Sequence, residues 1–383
     1  MKRLAAILAV IALTASVMLV AREWRRPGGG TGDFMPPDGA TVTYFPAQKD
    51  GSGVPLIVSG SIEAGFMRPF LLAFQKHYPL LPIAYIQTRS GAFLSRSLEA
   101  CHRGELTADV YLTSSTDHLV RLANENCAET LPSSVARAAP GQAAWRDEVV
   151  AFTVEPAAFV FARRDFRPAG PLPSNHMALL EWLRRLDGRH NRVGTYDIEA
   201  SADGYDFAAS DSRQTAIYGR LLESLSRTDI RLYCCSNVMV DAVDRGEILF
   251  AYNVQLSYAY ASQRAGSRIV VIVPDDYQAL QTLSLMVPKG ARSPKDAVRL
   301  AAFLVSDEAR TIARKDLSPP GASPAAAAAY ADQLLAQANV TPVLLSLQDR
   351  SRRQHMITEW RAAVHPAPPR TIEPALDGYK QGQ

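Results

Sequence analysis

Residue clusters that mark specialised chemistry are missing from this sequence. The 383 residues include only four cysteines and seven histidines, with no CxxC pair or Cys/His spacing, which excludes a structural zinc module. No nucleophile elbow, HExxH motif or acidic metal cluster occurs, and the isolated carboxylates Glu63 and Asp109 suit a helix start and a strand end. We therefore expect neither an enzyme nor a bound cofactor.

An excess of charge of one sign is missing too. Lysine and arginine number 41 against 38 aspartates and glutamates, a net charge of +3, whereas nucleic-acid proteins need a concentrated basic face. With 47% hydrophobic and 21% charged residues, the composition is that of a globular protein. It excludes a disordered protein, a collagen and a polytopic membrane protein. The length exceeds what one hydrophobic core usually organises, which favours two lobes. A small ligand or a protein partner is expected, and no nucleic acid.

The N-terminus is typical of an exported protein. Two cations, Lys2 and Arg3, precede an almost unbroken apolar run over residues 4–21. As a helix, at about 1.5 Å per residue, this run would reach roughly 27 Å, near the thickness of the hydrocarbon layer. Residues 1–21 are therefore either a cleaved signal or a retained inner-membrane anchor, and both place the rest in the periplasm. Residues 22–54, rich in Gly and Pro without periodicity, predict a flexible tether.

The cysteines leave one pairing open. An oxidising compartment permits disulfides, and Cys101 and Cys127 flank a predicted strand and helix without settling whether they bond. Cys234 and Cys235 are adjacent, and a ring between neighbours is strained. We expect two small buried side chains at that pair.

Short apolar runs alternate with amphipathic stretches from Pro55 onwards. Residues 56–59, 83–86 and 108–112 predict strands, and Phe66, Phe70, Phe74 and Tyr78 recur along one face of a helix. A second set has predicted strands at 192–196 and 248–252, and helices at 214–225 and 237–243. Residues 149–152 and 159–161 are candidate crossing strands between the two sets. Alternation of this kind predicts an α/β fold with parallel strands joined by right-handed crossovers.

The joints between strands and helices are rich in hydroxyl groups and glycine in both halves of the chain. The five joints are Ser59-Gly60-Ser61, Thr88-Arg89-Ser90-Gly91, Thr113-Ser114-Ser115-Thr116, Ser201-Ala202-Asp203-Gly204 and Ser236-Asn237. Ligands of open parallel sheets bind at the carboxyl ends of the strands, beside the positive ends of helices. Ser and Thr also cap helices in any protein. Their recurrence in both halves favours an anion clamped in a cleft, with Arg89 supplying a charge-assisted contact.

From about residue 56 to about residue 364 the order of segments resembles the periplasmic solute-binding proteins of ABC importers with the type II two-lobe fold. That group includes receptors for ferric iron, thiamine and phosphoglycerate. The segments that carry the resemblance are residues 56–63, 69–74, 107–111, 246–254, 284–291 and 297–309. Residues 251–259, Ala-Tyr-Asn-Val-Gln-Leu-Ser-Tyr-Ala, look most like the phosphoglycerate-type receptors.

The resemblance implies two lobes joined by a hinge of crossing strands, which close over a small ligand. Lobe 1 would comprise residues 55–154 and 268–366, lobe 2 residues 155–267, and the tail residues 367–383. The expected ligand is a small organic anion, a carboxylate or a phosphate ester, and the expected partner of this monomeric receptor is an ABC transporter permease. The binding residues implied by position in the pattern are Ser61, Arg89, Ser90, Gly91, Ser114, Ser201, Tyr205, Ser236, Asn253 and Tyr258.

Two alternatives share this fold. Ferric-binding relatives use a His after the first strand and a Tyr pair after the late strand, but Ile62 and Leu256-Ser257 align there, and neither Ile nor Leu coordinates iron. Tyr258 and Tyr260 would replace the pair only if the loop shifts. With a retained anchor, the chain would instead suit a membrane-tethered ligand-sensing regulator that signals to a sensor kinase.

The C-terminal region predicts two helices. Residues 325–338 follow a Ser-Pro start and have strong helical propensity. Residues 349–364 place Met356, Ile357 and Trp360 on one side, which predicts a closing helix docked on the first lobe.

Overall fold

Strands and helices alternate along the chain, as the apolar pattern predicts. The computed structural model describes residues 40–49, 53–105, 107–163, 171–186, 192–228 and 230–364. The strands are β1 Thr41–Phe45, β2 Leu56–Gly60, β3 Ile83–Gln87, β4 Val110–Thr113, β5 Ala144–Trp145, β6 Val149–Ala162, β7 Val193–Tyr196, β8 Arg231–Tyr233, β9 Phe250–Gln255, β10 Ile269–Ile272 and β11 Leu280–Met286. The α-helices are α1 Ala64–His77, α2 Ser90–Arg103, α3 Thr116–Asn124, α4 Ser133–Ala138, α5 His176–Arg184, α6 Ala202–Asp211, α7 Thr215–Ser226, α8 Ser236–Asp244, α9 Leu256–Arg264, α10 Pro294–Leu304, α11 Asp307–Leu317, α12 Pro324–Leu335 and α13 Arg350–Val364. Two 3₁₀ helices span Pro140–Gln142 and Pro342–Gln348.

The strands follow the order β1-β3-β2-β4-β11-β6-β9-β7-β8, and β5 and β10 also pair with β6. In the first lobe, β2 runs parallel to β3 and to β4, and β11 runs antiparallel to β4 and β6. In the second lobe, β7 runs parallel to β8 and β9. The two-lobe α/β fold expected from the sequence is confirmed.

One strand is shared by the two lobes. Residues 149–156 of β6 pair with β11 in the first lobe, and residues 157–161 pair with β9 in the second. All fourteen residues of β6 are buried, because each end of the strand lies inside a different sheet. The two predicted crossing strands, 149–152 and 159–161, are thus the two ends of this one strand.

Each lobe has its own hydrophobic core. In the first lobe, Phe70 and Phe74 of α1 are fully buried, and Phe70 packs edge-on against Phe152 of β6 at a ring separation of 6.0 Å. The predicted aromatic face of this helix therefore covers the sheet. In the second lobe, Phe161 and Phe250 stack at 4.6 Å. Burial of side chains of this size contributes about 1.5–3 kcal/mol each.

Part of the segment predicted as a flexible tether is ordered, so that prediction is wrong for residues 41–45. These residues form β1, which pairs antiparallel with β3. Phe45 is buried, and the Gln75 side-chain amide donates to the carbonyl oxygens of Phe45 and Pro46 at 3.2 and 3.1 Å. An edge strand gains its stability from the neighbouring strand, so composition alone does not reveal it. Residues 22–39 lie outside the described residues, as do the leader (1–21) and the tail (367–383).

The C-terminal helix α13 docks on the second lobe, and the prediction that it docks on the first is wrong. Met356, Trp360 and Val364 are buried in the second-lobe core, together with Leu221 and Leu225 of α7. The Arg361 guanidinium also pairs with Glu199. The sequence pattern defines the apolar face of an amphipathic helix but not the surface that receives it.

Two disulfides join the four cysteines. Cys101, on α2, is bonded to Cys127, which follows α3, and this settles the pairing that the sequence left open. Cys234 and Cys235 are bonded to each other, and Cys234 is exposed. The expectation of two small buried side chains is therefore wrong, because the turn from β8 to α8 lies open at the edge of the sheet.

Among the described residues, no helix is both long and apolar enough to cross a membrane.

Candidate functional site

A cavity of about 380 Å³ lies between the two lobes. Its walls come from the carboxyl ends of β2, β3 and β4 in the first lobe and of β7 and β8 in the second, together with β6 and the start of α9. This edge of a parallel sheet is where ligands bind in α/β proteins.

The first lobe contributes hydroxyl groups and one guanidinium. Ser61 follows β2, Arg89 and Ser90 follow β3, and Ser114 follows β4. The parallel pairing of β2 with β3 and β4 brings these ends together. Ser61 Oγ lies 2.8 Å from Thr113 Oγ1. Ser90 is the first residue of α2, so the positive end of that helix lies at the cavity wall.

The second lobe contributes hydroxyl groups and a disulfide. Tyr196 Oη and Ser236 Oγ are 2.6 Å apart, and the Gln255 backbone N–H donates to Ser236 Oγ at 2.8 Å. Ser236 begins α8, so a second helix N-terminus lies at the wall. The bonded pair Cys234–Cys235 precedes it and also lines the cavity.

The lobes touch each other beside the cavity. Ser114 Oγ donates to Asp203 Oδ1, and the Ala202 backbone N–H donates to Ser90 Oγ at 3.2 Å. A Cβ atom added to Gly91 would lie 2.4 Å from the carbonyl oxygen of Ala200. Only glycine permits so close an approach of the two lobes at this position.

Three carboxyl groups line the same cavity: Glu63, Glu155 and Asp203. Burial, with the nearby carboxylates Asp241 and Asp203, raises the pKa of Glu63 to about 7. Burial raises the pKa of Glu155 to about 8, against the lowering effect of the Ser257 backbone N–H, which donates to its carboxyl group. Burial also raises the pKa of Asp203, although Ser114 donates to it. In this setting Glu63 and Glu155 hold protons near neutral pH, and a cation placed nearby would release them.

Two aromatic rings lie on the same wall. Phe66 of α1 and Tyr258 of α9 are stacked at 6.4 Å, and both line the cavity. Burial raises the pKa of Tyr258 well above its usual value, and the charges of Glu63 and Glu155 raise it further. The Tyr258 hydroxyl is therefore neutral and lies within electrostatic reach of both carboxyls.

The structure brings six of the ten sequence-predicted binding residues to the cavity wall. These are Ser61, Arg89, Ser90, Ser114, Ser236 and Tyr258. Gly91 lies beside it, at the contact between the lobes, and Ser201 caps α6 by accepting from the Gly204 N–H at 3.2 Å.

Tyr205 and Asn253 lie away from the cavity. Tyr205 is buried in the second-lobe core, with the Arg353 guanidinium 4.1 Å from its ring. Asn253 is buried in the second lobe and donates to Asp211 Oδ2 at 2.7 Å. Both residues serve the packing of the second lobe in this structure.

Glu63, Glu155 and Asp203, which line the cavity, are not among the ten residues predicted to bind the ligand. Glu63 is the N-cap residue that precedes α1, at the predicted helix start, but its side chain makes no capping hydrogen bond. Asp109 is structural, since its carboxylate accepts from the backbone N–H groups of Ile57 and Ser293, both at 2.9 Å. Glu155 could have been singled out from the sequence, because it is the one carboxyl residue in the otherwise uncharged run that forms the fourteen-residue buried strand β6.

The described residues contain no group of three or more His, Cys, Asp or Glu side chains arranged to hold a metal ion. Tyr258 lines the cavity. Tyr260 instead lies in a hydrophobic cluster formed by side chains of β6 and α12.

Comparison with known proteins places the chain in a family. Residues 55–316 match the family described as bacterial extracellular solute-binding protein. The substrate-binding protein of an ABC transporter from Agrobacterium tumefaciens is 26% identical, with a TM-score of 0.77, over 86% of this chain and 99% of that one. A search of curated proteins finds no match.

More distant structures share the fold. Iron-bound HitA from Pseudomonas aeruginosa is 17% identical with a TM-score of 0.60, over 81% of this chain and 99% of that one. AfuA from Actinobacillus pleuropneumoniae, with fructose-6-phosphate bound, is 15% identical with a TM-score of 0.60, over 82% and 99%. The family match covers more than half of the chain and the architecture agrees with it. The chain therefore belongs to the bacterial extracellular solute-binding proteins.

Proposed function

We propose that the protein is the receptor of an ABC import system and closes its lobes over a small organic solute that carries a carboxylate or phosphate-ester group. The observation that supports this is the composition of the cavity wall. Arg89 is the only lysine or arginine among the described lining residues, and it stands beside Ser90, where α2 begins. A guanidinium at a helix N-terminus favours an anionic group.

The shared strand β6 acts as the hinge about which the two lobes close. The lobes remain joined through β6, and the contacts of Ser114 with Asp203 and of Ser90 with Ala202 form only when the lobes meet. A solute that touches both lobes stabilises the closed state in proportion to its differential affinity for that state. The permease of the importer would then recognise the closed form.

The receptor would act as a monomer in the periplasm, without catalysis, and residues 4–21 would either be removed on export or hold it at the inner membrane. N-terminal sequencing of the exported protein distinguishes the two cases. Turnover of any carboxyl or phosphate ester by the purified protein would contradict the non-enzymatic assignment.

A thermal-shift screen of the exported protein against small carboxylates, phosphate esters and ferric salts tests the ligand class, since a ligand specific for the folded state raises the unfolding midpoint with concentration. We expect an organic acid or ester to raise it. Arg89→Gln should weaken that solute at least about tenfold, a change of about 1.4 kcal/mol. Arg220→Gln, at an exposed position on α7, is the matched control. Stabilisation by ferric ion alone would favour the iron-receptor alternative.

A further inference from the structure

The carboxyl groups of the cavity suit more than a purely anionic ligand. Glu63, Glu155 and Asp203 line the cavity, with Arg89 as the one lysine or arginine among the lining residues that the structure describes. An anionic ligand alone would oppose ionisation of these carboxyls and leave Glu63 and Glu155 protonated, since burial already raises their pKa values. A positive group on the ligand would instead allow them to ionise and to pair with it.

Glu155 shows where that positive group is needed. The residue is 1% exposed, and its Oε2 accepts from the Ser257 backbone N–H at 3.1 Å. Its Oε1 is buried and has no hydrogen-bond partner among the described residues. A buried carboxyl oxygen without a donor is costly, and an ammonium group carries three donors.

Glu63 and the two aromatic rings complete the surroundings. Glu63 makes no capping bond at the start of α1, and its carboxyl, like that of Glu155, acts electrostatically on Tyr258. Tyr258 stacks with Phe66. Ring faces attract ammonium groups, and desolvated sites strengthen that attraction.

Arg89 and Glu155 reach the cavity from different strands of the sheet. Arg89 follows β3, whereas Glu155 lies on β6, four strands further along the sheet. With strands about 4.8 Å apart, the two backbones are separated by roughly 19 Å. Glu63 and Asp203 lie closer to Arg89, because the Ala64 N–H donates to Gln87 Oε1 at the end of β3 and the Ala202 N–H donates to Ser90 Oγ. The wall thus places a cation and carboxyl groups on neighbouring elements, within reach of one small ligand.

We propose that the solute carries a protonated amine in addition to its acidic group, and that Glu63 and Glu155, with the rings of Phe66 and Tyr258, receive the ammonium. The ligand class is then a small zwitterion: an amino carboxylate, an amino phosphonate or an amine-bearing phosphate ester. This inference rests on the proposed solute-receptor function and narrows its ligand.

Proton release accompanies binding in this scheme. Near pH 7 the two glutamates hold protons, which the ammonium displaces, so affinity rises between pH 6 and pH 8. Other ionisable groups lie around the same glutamates, and their charges also contribute to the pH dependence of the affinity. They are Asp203 on α6, Asp241 on α8, Tyr85 on β3, Tyr196 on β7, Tyr258 on α9, Asp316 on α11 and Arg89 before α2.

Calorimetric titration of the exported protein with matched pairs tests the inference. The pairs are 3-aminopropionate with propionate, 2-aminoethylphosphonate with ethylphosphonate, and phosphoethanolamine with ethyl phosphate. We expect the amine to bind at least about tenfold more tightly in one pair or more, with proton release seen as a buffer-dependent enthalpy. Glu155→Gln should weaken that amine at least about tenfold, and Glu181→Gln, an exposed glutamate on α5, should not.

The outcomes separate the inference from the proposed function. If the amine-free partner binds as tightly, or no amine binds, the inference is overturned, and an acidic solute that binds keeps the receptor function. If ethanolamine binds as tightly as phosphoethanolamine, the ammonium site stands and the acidic group of the proposed function is withdrawn. Binding of ferric ion alone contradicts both.

Discussion

Substitution of Gly91 by alanine should weaken solute binding without lowering the free energy of unfolding of the ligand-free protein. The added Cβ would lie 2.4 Å from the carbonyl oxygen of Ala200 and 3.3 Å from its carbonyl carbon. Both neighbours are backbone atoms of the second lobe, so relief requires the lobes to move apart. Overpacking of this kind costs about 1–3 kcal/mol. If the cost falls on the closed state alone, the dissociation constant rises about 5- to 150-fold.

Calorimetric titration gives the dissociation constant, and urea unfolding without solute gives the free energy of unfolding. Gly219→Ala is the matched control, because α7 has open space there and the change should stabilise the helix by about 0.5–1 kcal/mol with no effect on affinity. An unchanged affinity in Gly91→Ala would refute the idea that this contact forms on closure. An equal loss of unfolding free energy without solute would show that the contact persists in both states.

Three further predictions concern stability. Replacing Cys101 and Cys127 by alanine should lower the free energy of unfolding by about 3.5 kcal/mol, from the entropy of a loop with a sequence separation of 26, and a reductant should then have little further effect on urea unfolding through this pair. Without solute, the free energy of unfolding should fall as pH rises from about 5 to about 8, because folded Glu155, with its pKa raised to about 8, keeps a proton that the unfolded chain releases. Urea titrations across that range should be flatter for Glu155→Gln, and an identical slope would contradict the assignment. Trp360→Ala should cost about 3–5 kcal/mol, since the ring is buried against the second lobe, whereas His355→Ala, exposed on the same helix, should cost little; equal losses would contradict the docking.

Much of the cavity wall was predictable because parallel strands end at one edge of a sheet. Ser61, Ser90, Ser114 and Ser236 follow four such strands, and each lies at the wall. The sequence shows where each strand ends, and the carboxyl ends of parallel strands lie together at one edge of the sheet. Arg89 was found by the same reasoning.

Residues that lie within a helix or a strand, away from the joints between them, were harder to place from the sequence. Tyr205 lies four residues after the cap of α6, but it packs towards α13, and nothing in its neighbourhood of the sequence indicates that distant helix. Asn253 lies within β9, where a residue faces one side of the sheet or the other according to register. Glu63 and Glu155 are far apart in the sequence, so only the fold shows that they share a cavity.

The paired state of all four cysteines has a practical consequence for any search for the solute. Protein made in a reducing cytoplasm would carry two thiols in place of the Cys234–Cys235 disulfide, directly at the cavity between the lobes. Such material would present soft, nucleophilic sulfur to every compound tested and would lack the link from α2 to the segment after α3. Screening hits from it would describe a different binding surface, so the receptor should be recovered from an oxidising compartment.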